Sequence, residues 1–145
     1  MPVVFFMYMW SNNGMETTTF GEHLMLDCYG ANKELLNSRE LVEKVLRELP
    51  SELGMHLLSK PEVYFAEDNG KKDPGGWSGF VVIMESHLSI HTFVGREFLS
   101  ADIYTCKNGM DIEYIIEYFR NAFQAKDIEV NFVKRGTRYP LADIE

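Results

Sequence analysis

Apolar and polar positions change rhythm several times along the chain, and Gly, Pro, Asn and Asp punctuate the changes. Residues 23–29 (HLMLDCY) are β-prone and half-alternating, which predicts a first strand. Over 37–49 the spacing turns helical. Leu41, Val42, Val45, Leu46 and Leu49 form one stripe, Asn37 offers a cap with Glu40 three residues on, and Pro50 predicts the end. Residues 55–65 read as a strand broken near Pro61. A polar turn, 67–76 (EDNGKKDPGG), then joins two strands. The β-branched run over 79–84 predicts a buried strand, and 99–106 another. Asp111 caps a second helix with Ile112, Ile115, Ile116, Phe119 and Phe123 on one face. Alternation over 128–133 predicts the last strand.

Strands interleaved with two amphipathic helices predict an α+β fold. It is a two-layer α/β sandwich, a mainly antiparallel sheet with both helices on one face. The other sheet face needs a cover, which a second copy packed sheet against sheet, or a ligand, would provide. The length, 145 residues, suits one domain, expected over 20–145 after an N-terminal extension of 1–19. Met15, after the loop-like 11–14, is an expected natural start.

Charge narrows the partners. Fourteen basic residues against 22 acidic ones give −8, a field that repels a phosphate backbone, so no nucleic-acid partner is expected. An apolar run of about 18 residues is lacking, so no membrane span is expected. Residues 1–10 are apolar but carry no leading Lys or Arg and no small-residue cleavage site, unlike a secretory signal. Two cysteines, Cys28 and Cys106, make no disulfide scaffold and suit a reducing cytoplasm.

The chemistry concentrates in 85–92, ESHLSIHT, directly after the buried strand. His87 and His91 are four apart and share one strand face. They read as two half-buried, hydrogen-bonded histidines or as a metal pair, and the missing third ligand weakens the second reading. Cys106 reads as a small buried hydrophobe or as part of a Ser/His/Cys set, and spacing alone leaves both open.

ESHLSIHT, the downstream 102–106 (DIYTC), the upstream 78–82 (SGFVV) and the first strand 21–30 (GEHLMLDCYG) together resemble the bacterial and archaeal S-adenosylmethionine decarboxylases. The resemblance covers about 20–133 and implies a self-processing, pyruvoyl-dependent decarboxylase of polyamine biosynthesis, without a metal. It implies that the Ser86 hydroxyl attacks the Glu85 carbonyl, splitting the chain into 1–85 and 86–145 and leaving a covalent pyruvoyl group at 86. That group then forms a Schiff base with the substrate amine. Ser78 and His91 match the positions that assist processing, with His91 as proton acceptor, and Cys106 matches the proton donor of turnover. Tyr64, Phe65, Leu88, Gly95, Arg96 and Glu97 fall at or near the substrate positions. Homodimers of processed protomers are implied as well.

Two departures touch adenosine recognition. Family members typically read Thr-Trp-Pro-Glu-Tyr-Gly after the histidine, and that glutamate resembles the ribose ligand. Here 92–97 is TFVGRE, which puts Gly95 at the glutamate position and Glu97 two residues away. The turn before Ser78 is also longer than the family's. It follows the aromatic expected to stack on adenine, for which Tyr64 and Phe65 are the candidates. Kept chemistry with lost nucleoside contacts implies a changed substrate, a basic amino acid such as L-arginine or L-ornithine. The alternatives are S-adenosylmethionine itself, supplying the aminopropyl donor for spermidine, and an inactive regulatory paralogue. Ser86, His91, Ser78 and Cys106 together argue against the last.

Overall fold

The structure, a computed structural model, describes residues 16–141. Its strands are β1 (Thr17–Thr18), β2 (Gly21–Tyr29), β3 (Glu62–Ala66), β4 (Gly76–Ile83), β5 (Ser86–Phe93), β6 (Phe98–Thr105), β7 (Asp127–Arg135) and β8 (Tyr139–Pro140). Its helices are α1 (Lys33–Leu36), α2 (Arg39–Glu52) and α3 (Ile112–Phe123). Six strands form one sheet in the order β3-β4-β5-β6-β2-β7, antiparallel throughout, while β1 pairs β8.

Period-two alternation sorts the sheet into two faces. Leu24, Leu26 and Cys28 of β2, Leu88 and Ile90 of β5, and Leu99, Ala101 and Ile103 of β6 are buried on the inner face. Val42, Val45, Leu46 and Leu49 of α2 and Ile115, Phe119 and Phe123 of α3 close over them. Each such side chain, fully buried, contributes about 1.5–3 kcal/mol. The outer face carries His23, Met25, His87, Ser89, His91, Ser100, Asp102 and Tyr104, and among the described residues no helix covers it. This is the expected α+β sandwich.

Local details differ from expectation. Asn37 does not start the long helix. It closes α1, its N–H bonded to Lys33 O at 3.0 Å. Ser38 caps α2 instead, its hydroxyl accepting from Leu41 N–H at 3.1 Å. Pro50 lies inside α2, which runs on to Glu52. A proline in the last turn removes a single helical hydrogen bond, so the helix survives it. The strand expected over 55–65 shrinks to β3, which begins after Pro61, and only a bridge between Leu57 and Ile83 remains upstream. The short elements α1, β1 and β8 carry no periodic signal. Residues 1–15, with the expected start at Met15, lie outside the described residues. Within the expected 1–19 extension, Thr17 and Thr18 pair with Pro140 and Tyr139. Among the described residues no helix is long and apolar enough to cross a membrane.

Candidate active site

β4 and β5 join through a two-residue hairpin, Met84–Glu85, with Ile83 opposite Ser86. Hairpins this tight normally place glycine or asparagine at positive φ in the loop. Neither loop residue is glycine here, and the positive φ falls instead on Ser86, at 145°. A serine in that region costs about 1–3 kcal/mol. The strain sits on the Glu85–Ser86 peptide. The Glu85 carbonyl accepts a hydrogen bond from Cys106 N–H at 2.8 Å. Its side chain accepts from His56 N–H at 3.1 Å and meets His56 Nδ1 at 3.0 Å. Those two His56 contacts hold the Glu85 carboxyl below its ordinary range. A strained peptide, a hydroxyl next to it and an N–H on its carbonyl fit the formation of a pyruvoyl group from Ser86.

Ser78 and His91 face each other across β4 and β5, with His91 Nδ1 2.9 Å from Ser78 Oγ. They stand at the other end of β5 from Ser86. Five residues of strand separate His91 from Ser86 by about 16 Å. One chain therefore brings Ser86 together with Cys106, and Ser78 together with His91, but does not join the two pairs.

His87 points to the outer face, where Asp102 gathers three partners. His23 Nε2 lies 2.6 Å from Asp102 Oδ2 and His87 Nε2 3.4 Å, while the Ser89 hydroxyl donates to Oδ1. Burial raises the Asp102 carboxyl, but Ser89, His23 and His87 outweigh it and leave it below its ordinary range. The Arg135 guanidinium stacks on Tyr104 at 4.1 Å and reaches 3.4 Å from His23 Nδ1. The third member beside His87 is thus Asp102 with His23, not His91. The ligand atoms of His23, His87 and Asp102 lie within 4.8 Å of one another, close enough to hold a metal ion, and the bonds of Asp102 to His23 and Ser89 and the adjacent guanidinium already engage them.

Around the expected ribose position the two departures meet. A Cβ on Gly95 would lie 3.2 Å from Pro74 Cβ, so the long turn crowds position 95 and would have to give by a few tenths of an ångström to admit a side chain there. Val94 N–H bonds Gly75 O at 3.2 Å and pins the turn there. Asn69, Lys72, Asp73, Pro74, Phe93, Arg96 and Phe98 line a cavity of about 360 Å³ beside it. Glu97 turns away through a left-handed backbone (φ 53°) and lines a different cavity with Asn32, Lys33 and Lys126. Tyr64 lies opposite Ser78; it and Phe65 are both exposed, and Phe65 also packs on Trp77 at 5.0 Å. Leu88, expected at the substrate, is 1% exposed and belongs to the core under α2, because strand alternation turns it inward.

The model of the family described as S-adenosylmethionine decarboxylase matches residues 22–136. The chain belongs to the S-adenosylmethionine decarboxylase family. It is 37% identical over 116 residues to the S-adenosylmethionine decarboxylase proenzyme of Caldicellulosiruptor saccharolyticus, covering 80% of this chain and 88% of that one. The proenzyme of Clostridium kluyveri is 32% identical over 125 residues, 86% of this chain and 94% of its own. The adenosylmethionine decarboxylase structure from Aquifex aeolicus shares the fold, with a TM-score of 0.69 at 24% identity over 82% of this chain and 92% of that one. Members of the S-adenosylmethionine decarboxylase family are pyruvoyl-dependent carboxy-lyases made as proenzymes, and this chain is one of them.

Sequence reasoning missed Cys106 N–H as a donor to Glu85, His56 as the holder of the Glu85 side chain, and Pro74 as the neighbour of Gly95. The motif points at the Cys106 side chain, and no local signal marks its backbone. Alternation places Asp102 on one face with Tyr104, but its neighbours depend on a strand order that the sequence does not print.

Proposed function

We propose that Ser86 is the self-processing serine and that the processed enzyme decarboxylates a basic amino acid, L-arginine or L-ornithine, in polyamine biosynthesis in the cytoplasm. Ser86 Oγ attacks the Glu85 carbonyl carbon, and the peptide becomes an ester. Cys106 N–H supports the oxygen as negative charge builds on it. Loss of the Ser86 Cα proton to His91 Nε2 breaks the Cβ–O bond and frees Glu85 as a new C-terminal carboxylate. Water then replaces the nitrogen at 86, which leaves as ammonia. The pyruvoyl carbonyl, once formed, supplies a sink for the electrons left by carbon dioxide. Cys106 Sγ returns a proton to the substrate α-carbon.

His91 stands about 16 Å from Ser86 along β5, so it serves the serine of a second copy. A homodimer stacked on the outer face also covers its exposed Phe80, Val82, Met84 and Val133. The contact of Pro74 with the Gly95 position carries the substrate reading. A site that loses a charged acceptor for a diol gives up about 1.5–3 kcal/mol per hydrogen bond. The alternative, S-adenosylmethionine, is favoured by the names of the relatives. Carbon dioxide release from carboxyl-labelled arginine, ornithine and S-adenosylmethionine separates the two. Arginine or ornithine is expected to turn over at least tenfold faster in kcat/KM, a difference of about 1.4 kcal/mol. Equal or faster turnover of S-adenosylmethionine overturns the substrate reading.

A further inference from the structure

Glu22 is a carboxylate 2% exposed, beside the predicted proton donor, and the chemistry above does not use it. In register it stands between Thr105 of β6 and Lys134 of β7. Its Oε1 accepts from Gly109 N–H at 3.1 Å and its Oε2 from Met110 N–H at 2.9 Å. Lys134 Nζ neutralises it at 2.6 Å. Burial raises this carboxyl, but the bonds from Lys134, Met110 and Gly109 outweigh burial and leave it below its ordinary range. It is therefore an ionised group that fills its acceptor sites with two N–H groups of a single loop.

That loop begins at Cys106. Its first residue donates to the Glu85 carbonyl, and the N–H groups of Gly109 and Met110, near its other end, bond Glu22. The residue before Glu22 tightens the same joint. A Cβ on Gly21 would lie 2.9 Å from Cys106 Cα, so only glycine lets β2 approach the Cys106 backbone this closely. Weaker ties act in the middle of the loop, from Lys107 Nζ to Leu53 O at 3.1 Å and from Asn108 Nδ2 to Thr19 O at 3.3 Å. Both come from exposed side chains. Glu22 is the buried, charged anchor.

We infer that Glu22 is a positioning residue for Cys106: by clamping Gly109 and Met110 it sets where the Cys106 N–H meets the Glu85 carbonyl. The inference rests on Ser86 being the self-processing serine. It goes further in assigning a role to a buried carboxylate that packing alone does not require. Removing an oxyanion donor outright slows an acyl reaction by about 10²–10³. Loosening the loop that aims the donor is expected to slow it by a smaller factor, about tenfold.

The experiment follows self-cleavage of freshly made full-length chain on denaturing gels, which needs no substrate. Glu22→Gln keeps the shape and removes the charge. Val42→Ala, a core truncation at the start of α2, controls for lost stability. Glu22→Gln is expected to cleave about tenfold more slowly than wild type, with Val42→Ala within about twofold. If the Gln variant is insoluble, Glu22→Asp, too short to reach both N–H groups, is read in the same way with the same expectation. A Glu22 variant that cleaves at the wild-type rate, or slows no more than Val42→Ala at equal melting temperature, overturns the positioning role alone. A wild-type chain that stays whole overturns the Ser86 assignment and this inference with it.

Discussion

The two cysteines show how one residue type takes opposite roles by position. Cys28 is fully buried on the inner face of β2, and burial pushes its thiol up to about 12. At neutral pH it is a small hydrophobe. Cys106 lies just past the end of β6, partly exposed, beside the Glu85–Ser86 peptide. In the proposed mechanism its backbone serves cleavage and its thiol serves turnover, so one substitution separates the two. Cys106→Ala keeps the N–H and is expected to cleave within a few-fold of wild type, while losing at least about 100-fold in kcat, the scale of a missing acid. Iodoacetamide on the native processed enzyme is expected to block turnover with one label, at Cys106, and mass spectrometry should find Cys28 unlabelled until the protein is denatured. Two labels on native protein, or full activity of Cys106→Ala, contradict this division.

Between elements, the Asp102 network ties β2, β5 and β6 together across the outer face. The Asp102 carboxyl is held below its usual value of 3.8 in the folded chain. Its stabilising contribution is thus fully present above that value and is lost as pH falls through the lower, folded one. Asp102→Asn is expected to melt at a lower temperature at pH 7, with the gap to wild type closing below about pH 3.8. A gap of constant size from pH 7 to pH 3 would mean that Asp102 acts by shape alone. None of this network was legible in advance. The alternation of DIYTC and SHLSIH put Asp102 and His87 each on a definite face of its strand. That β2 inserts between β6 and β7, bringing His23 alongside, is a long-range pairing without a local cue. Periodicity did better where burial enforces it. The stripe of α3 and its Asp111 cap stand as read, because Ile115, Phe119 and Phe123 all face the core. The start of α2 was misplaced by one residue because Asn37 and Ser38 both cap well, and an unforeseen α1 claims Asn37 for its own end. In the site, the motif singles out Ser86, Cys106, Ser78 and His91, whereas the meeting of Gly95 with Pro74 needs the folded turn.

At the scale of the whole molecule, the acidity divides unevenly. Residues 1–85 hold 7 basic and 13 acidic groups, net −6, and 86–145 hold 7 and 9, net −2. Both pieces remain interleaved after a cut at 85, since β4 of one pairs with β5 of the other over six positions and β2 lies between β6 and β7. Cleavage at the tip of a hairpin therefore breaks the chain without breaking the sheet. The cleavage proposed above needs His91 near Ser86, and a single sheet holds these residues apart along one strand. The proposed two-fold dimer, stacked on the outer face, would resolve this, because a self-complementary contact would lay the Ser78–His91 end of each copy over the Ser86 end of the other. The arrangement predicts complementation between two dead variants. Ser86→Ala has no nucleophile, and His91→Ala lacks the base it lends to its partner, so neither alone is expected to cleave. Mixed within one dimer, the Ser86→Ala chain supplies His91 to the intact Ser86 of the His91→Ala chain. With random pairing of equal amounts, about half of the His91→Ala chains are expected to cleave, and none of the Ser86→Ala chains. Co-expression with two distinguishable tags and a denaturing gel reads both fractions. Mixed dimers in which neither chain is cut would place the base within the same chain as the serine and exclude the shared site.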